Sequence, residues 1–92
     1  MKILVVRFSS IGDIVLTTPI VRVLAQNGHV VHYLTKKNYS QVLDGNPHIE
    51  QVHFLEENWG AMLRSLRVEK FDHIVDLHRN LRTMRLKFQL GI

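Results

Sequence analysis

Cysteine is absent from the 92 residues, which excludes disulfide staples, thiolate metal sites and cysteine nucleophiles together. That absence fits a reducing cytosol, although it leaves the compartment undecided. Proline and glycine are scarce, at two and five residues, against 46% hydrophobic and 22% charged, so the chain has an ordinary globular composition and not a disordered one. No apolar run approaches the roughly 20 residues of a membrane helix. A strand pattern beginning at Lys2 does not match the layout of a secretory signal. Three familiar signatures are also missing. There is no Gly-x-x-x-x-Gly-Lys-Ser/Thr, no Gly-x-Gly-x-x-Gly after the first strand and no Gly-x-Ser-x-Gly, which counts against P-loop NTPases, dinucleotide folds and α/β-hydrolases. A chain of this length makes one domain, residues 1–92, with a modest core. It shows no repeat, linker or low-complexity stretch.

Acidic residues are missing from one segment in particular. Residues 1–78 hold eight Lys or Arg against eight Asp or Glu, so the net charge of +4 sits entirely in the last fourteen residues, as Arg79, Arg82, Arg85 and Lys87. Such a cluster points to an anionic partner, whether phosphate groups, a membrane surface or nucleic acid, or is the solvated face of a last helix.

What is present organises around Arg7-Phe8-Ser9-Ser10-Ile11-Gly12-Asp13. The run Ile3-Leu4-Val5-Val6 reads as a strand buried on both faces, within residues 2–8. Helical spacing follows, as one helix from Asp13 to Gln26 kinked at Pro19, or as a single turn and a second helix with Thr18 as N-cap. The overlapping apolar faces favour the kinked helix, closed by Asn27-Gly28. Strands are expected at 30–35, 51–54 and 71–77, with the third near an edge. Helices are expected at 39–43, at 58–70 with Trp59, Met62, Leu63, Leu66 and Val68 buried, and from the loop at 78–83 to the end. This repeated β-α alternation predicts a three-layer α/β/α, Rossmann-like parallel sheet. Right-handed crossovers give strand order 3-2-1-4, with the loops at 9–13 and 77–82 facing each other where the winding reverses. Leu90-Gly91-Ile92 falls where a fifth strand would be expected. The chain therefore reads as part of a longer protein, with an exposed edge at strand four through which it would self-associate.

Asp13 is the first residue to single out. It is either a helix N-terminal acid favoured by the dipole or a general base, a weak one that takes a proton only as the attacking oxygen becomes acidic. Ser9, Ser10 and Gly12 form an anion site at the helix opening, or cap the helix and make the turn. Arg79, Asn80 and Arg82 bind phosphate or carboxylate, or are a solvated helix start. The six histidines are scattered, so no metal-ligand set is expected. Trp59 and Met62 read as core.

Met1 to Pro19, with Ser9-Ser10-Ile11-Gly12-Asp13 followed by Thr17-Thr18-Pro19, together with Val75-Asp76-Leu77-His78-Arg79-Asn80-Leu81-Arg82-Thr83, resembles the start of the ADP-heptose:lipopolysaccharide heptosyltransferases, glycosyltransferase family 9. The first motif is specific; the second is looser. The resemblance implies part of the N-terminal, acceptor-side domain of a GT-B fold, with the C-terminal donor-binding domain absent. It implies an inverting transfer of heptose from ADP-heptose to the lipopolysaccharide inner core, with Asp13 as catalytic base and no metal or other cofactor. Ser9, Ser10, Gly12, Arg79, Asn80 and Arg82 become substrate-binding residues, and Arg85 gains weight as an acceptor contact. The implied setting is cytoplasmic, with peripheral contact to a Gram-negative inner membrane and no nucleic-acid partner, and the 92 residues alone are expected to be inactive. The alternative from the residues is a non-catalytic Rossmann-like domain that binds phosphorylated lipid or nucleic acid through its basic last helix.

Overall fold

Ile3, Leu4, Val5 and Val6 are all at most 5% exposed, and their alternating side chains build two separate cores. In the computed structural model, which describes residues 1–92, they lie in β1 (Lys2–Val6). It is followed by α1 (Ile11–Gln26), β2 (Val30–Thr35), a 3-10 turn at Lys37–Tyr39, α2 (Ser40–Leu43), β3 (Gln51–Phe54), α3 (Trp59–Glu69), β4 (His73–Asp76) and α4 (Leu81–Leu90). All strand pairs are parallel, in the order β3-β2-β1-β4. Ile3 and Val5 pack with Ile14, Val21, Val31, Tyr33 and Leu43 on one face. Leu4, Val6 and Phe8 pack with Leu34, Met62, Leu63, Leu66, Phe71 and Leu86 on the other. Helices thus cover both faces of the sheet, as the β-α alternation requires.

The first helix is continuous through Pro19. A proline there removes the donor that the Val15 carbonyl would otherwise receive, and the Thr18 hydroxyl donates to that carbonyl at 2.8 Å instead. The Thr17 hydroxyl donates to the Ile14 carbonyl at 2.6 Å and also meets the Tyr33 hydroxyl at 2.7 Å inside the core. Thr18, directly before the proline, therefore replaces the one donor that the proline takes away. At the far end Gly28 adopts φ +86°, the left-handed turn that favours glycine.

Three expectations need correction. Val68 is 77% exposed, because it lies about 200° round the helix from Leu66, off the stripe of Met62, Leu63 and Leu66. Trp59 is only half-buried and donates from Nε1 to Gln89 Oε1 at 2.6 Å. The histidines do not all stay apart. His32 and His53 sit on neighbouring strands, two residues off register and so on the same face, with Nδ1 and Nε2 2.8 Å apart. Linear spacing carries no information about strands paired across 21 residues.

Candidate functional site

At the C-terminal end of β1, an interior strand, the chain leaves the sheet and enters the first turn of α1. The Ser10 hydroxyl donates to Asp13 Oδ2 at 2.9 Å, and the Ser10 amide approaches the same oxygen at 3.4 Å. Arg7, the last residue before this turn, places Nη2 3.0 Å from Asp13 Oδ2. The Ser10 hydroxyl, its amide and then the Arg7 charge hold the Asp13 carboxyl below its ordinary range, so it is ionised at neutral pH and exposed to solvent.

The same guanidinium reaches across to the partner loop, donating from Nη1 to the Leu77 carbonyl at 2.8 Å. Next to it the Phe8 amide donates to His78 Nδ1 at 3.3 Å, and the two rings lie 5.0 Å apart. Arg82 also lies over the Phe8 ring, its guanidinium carbon 5.1 Å from the ring centre. The loops after β1 and β4 therefore meet at the point where the strand order reverses, which is where open α/β sheets bind ligands.

Asp76 anchors the second loop. Its Oδ1 accepts from the His78 amide at 3.0 Å and the Arg79 amide at 2.8 Å, while Lys87 pairs with Oδ2 at 3.3 Å. Burial alone would raise this carboxyl, but the donors around it outweigh burial and hold it low. Asn80 caps α4: its Oδ1 accepts from the Thr83 amide, and its own amide donates to Thr83 Oγ1, both at 2.9 Å. Its side chain is thus already engaged by the helix.

The remaining site residues divide clearly. Ser9 is half-buried and Gly12 exposed. A Cβ added at Gly12 would meet nothing within 4 Å, and its φ is not positive, so neither the turn nor packing requires glycine there. Arg79 is exposed with φ 55°. Of the basic cluster, Arg82 stacks on Phe8, Arg85 on Trp59 at 4.8 Å, and Lys87 pairs with Asp76. Much of the cluster is therefore built into the fold, which leaves less of it for a nucleic acid than the sequence suggests. Linear reading missed Arg7, Asp76 and His78 as site residues. It also missed Lys36 and Lys37, which line a groove of about 360 Å³ with Arg82, Glu56 and Glu57.

His78 gives this arrangement a pH dependence. Burial first, and then the Arg7 charge, hold its pKa below 6.5. An unfolded histidine takes up its proton near ~6.5, so below that pH the unfolded chain binds more protons than the folded one. The contribution is fully present above that value and is lost as pH falls through the window beneath it. Urea melts from about pH 7 down to about pH 5 should show a shallower loss of stability for His78→Gln than for the wild type. Parallel slopes would remove His78 from the account.

A parallel sheet in the order 3-2-1-4 with helices on both faces is a Rossmann-like α/β fold, and the loops after β1 and β4 meet at its switch point. No family model and no curated protein sequence matches the chain, but solved structures do. It superposes on a glycosyltransferase family 9 protein from Veillonella parvula with TM-score 0.85 and 25% identity, covering 97% of this chain and 29% of that one. The E. coli heptosyltransferase WaaC matches in its complex with ADP-2-deoxy-2-fluoro heptose, with TM-score 0.82, 20% identity and 98% and 34% coverage. WaaC with ADP matches with TM-score 0.81, 22% identity and 98% and 32% coverage. The chain spans about a third of the length of each of these proteins. Its structural neighbours are therefore family 9 glycosyltransferases, heptosyltransferases among them. No helix is long and apolar enough to cross a membrane.

Proposed function

We propose that these residues are the acceptor-side part of an inverting heptosyltransferase, with Asp13 as the catalytic base. The observation that carries this reading is an ionised, exposed carboxylate fixed by Ser10 and Arg7 opposite the 77–82 loop. The ADP and ADP-2-deoxy-2-fluoro heptose bound by the WaaC neighbours support ADP-heptose as the donor. An acceptor hydroxyl attacks the anomeric carbon of ADP-heptose from the face opposite the diphosphate. The new carbon–oxygen bond forms as the bond to phosphate breaks, ADP departs with the electron pair, and Asp13 takes the hydroxyl proton. The developing oxonium is acidic enough for a weak carboxylate base. This chemistry calls on no cofactor from the acceptor side.

The acceptor in this reading is the phosphorylated inner core of lipopolysaccharide, presented at the cytoplasmic face of the inner membrane. Exposed Arg79 and the Arg82 held on Phe8 are suited to its phosphates, since guanidinium groups pair with such anions in bidentate fashion. Donor contacts belong to a second domain outside these 92 residues. The chain alone should therefore release no ADP from ADP-heptose with acceptor present. Steady release would refute the two-domain reading.

Gly12 separates a ligand-binding role from a purely structural one. Ala fits the helical backbone with nothing to clash against, so Gly12→Ala should stabilise the chain by roughly 0.5–1 kcal/mol. If the acceptor lies against this turn, the same change raises the acceptor KM in the full-length enzyme. A stabilised variant with unaltered acceptor KM would move the acceptor elsewhere.

A further inference from the structure

We propose that His32, His53 and Glu69 form a binding site for a divalent transition-metal ion of the zinc class, held by two imidazole nitrogens and a carboxylate oxygen. One ligand atom from each residue lies within 4.8 Å of the others. The site is on the α3 face of the sheet, distinct from the loops that carry Asp13 and Arg79, and it stands independently of the function proposed above.

The fold builds this cluster from three elements. His32 in β2 pairs with Gln51 in the parallel register, and Leu34 pairs with His53. The two imidazoles thus project from the same face on a diagonal between neighbouring strands. Their rings are stacked with centroids 5.1 Å apart at 18°, and His32 Nδ1 lies 2.8 Å from His53 Nε2. Phe71 packs edge-on against both, at 5.2 and 6.0 Å, which fixes the ring planes. Glu69, the last residue of α3, closes the third side with its side chain 25% exposed.

The chemistry of this donor set suits zinc better than magnesium or calcium, which prefer all-oxygen shells. Tetrahedral zinc with bonds of about 2.0–2.1 Å needs ligand nitrogens roughly 3.3 Å apart. The observed pair must open by about half an ångström, and each ring must turn so that its lone pair lies roughly 35° off the line between the nitrogens and meets the other at the ion. The hydrogen bond between the rings requires one of the facing nitrogens to carry a proton. On metal binding that proton moves to the other nitrogen of the same ring, and both facing lone pairs become free. Burial keeps both rings below their ordinary pKa and hence neutral at pH 7, the state a metal requires.

Lys2 is the competing cation. Its ammonium donates to Glu69 Oε1 at 2.7 Å and lies 5.7 Å from the Phe71 centroid. The carboxylate keeps a second oxygen for the ion, and the Lys2 contact holds Glu69 ionised. Access runs past His53, which lines a cavity of about 290 Å³ with Gln51, Ser65 and Leu66. Water completes the fourth position, as is usual for three-ligand zinc sites. Such an ion would tie β2, β3 and the end of α3 together.

The experiment is a calorimetric titration of the chain with Zn(II), paired with visible absorption of the Co(II)-substituted form. The expected result is one ion per chain, tetrahedral Co(II) bands and a raised melting temperature. His53→Gln and Glu69→Gln should each weaken binding at least ~10-fold. His29→Gln, which removes the imidazole 3.2 Å from the N-terminal amine, should leave it unchanged. If His53→Gln fails to fold, Glu69→Gln at its partly exposed position decides alone. No saturable binding by the folded chain, binding unaffected by Glu69→Gln, or binding lost with His29→Gln would each overturn the site.

Discussion

Asp13→Asn in the full-length transferase should lower kcat by about 10²- to 10⁴-fold, the range that a positioned general base contributes. The substitution keeps the size of the side chain and its ability to accept from the Ser10 hydroxyl. It removes the charge that faces Arg7 and the proton acceptor itself. Because the carboxylate is exposed, folding stability should change little, since exposed ion pairs contribute little. Acceptor KM should also move little, because an interaction made only as the proton transfers does not contribute to ground-state binding. Arg7 sharpens the test. It helps hold Asp13 low, and that makes the base weaker while keeping it ionised across the neutral range. A rate within about threefold of wild type, in steady-state ADP release with donor and acceptor saturating, would remove Asp13 from the base role.

The reasons that some features were legible in the sequence and others not are physical. β1 and β2 stand out because a strand buried on both faces must be almost continuously apolar or β-branched. The order β3-β2-β1-β4 follows from alternation and crossover handedness, which are chain-level constraints. Ser10 and Asp13 were legible because their interaction is local, three residues apart on one helix turn. Arg7 was not, since its second partner is the Leu77 carbonyl, 70 residues away. Asp76 reads as a strand residue and acts as a loop anchor only because backbone amides turn back onto it. Asn80 was legible as special but ambiguous in role, and its engagement with Thr83 favours the helix cap over a substrate contact. The basic cluster gave the right charge and an incomplete picture, because stacking on Phe8 and Trp59 is a tertiary event. Exposed Leu81, Met84 and Phe88, at 83%, 59% and 86%, lie on the outer face of α4. Their i, i+3, i+7 spacing is the pattern of a buried stripe, yet the residues of α4 that the fold buries are Thr83 and Leu86.

Phe8 joins the core to the site, so Phe8→Ala should be the most damaging single change to stability. The ring is fully buried and belongs to the cluster of Leu4, Val6, Leu34, Met62, Leu63, Leu66, Phe71 and Leu86. Its upper surface carries His78 and Arg82 at 5.0 and 5.1 Å. Truncation leaves a cavity that the surrounding strands close only in part, at a cost of about 3–5 kcal/mol. Against a total of about 5–15 kcal/mol for a domain, that is a large share. For a chain of this size the melting temperature should fall by more than about 10 °C. Two further consequences separate packing from the aromatic contacts. Phe8→Leu should recover most of the stability, since it restores volume. It should still remove the ring contacts to Arg82 and His78 while keeping the amide bond to His78 Nδ1, so the 77–82 loop loses part of its protection from amide exchange while β1 keeps it. A fall of less than about 4 °C for Phe8→Ala would show that the cluster does not depend on this ring. Equal loop protection in Phe8→Leu and wild type would show that the side-chain bonds of Arg7 and Asp76 to the loop backbone hold it without the ring.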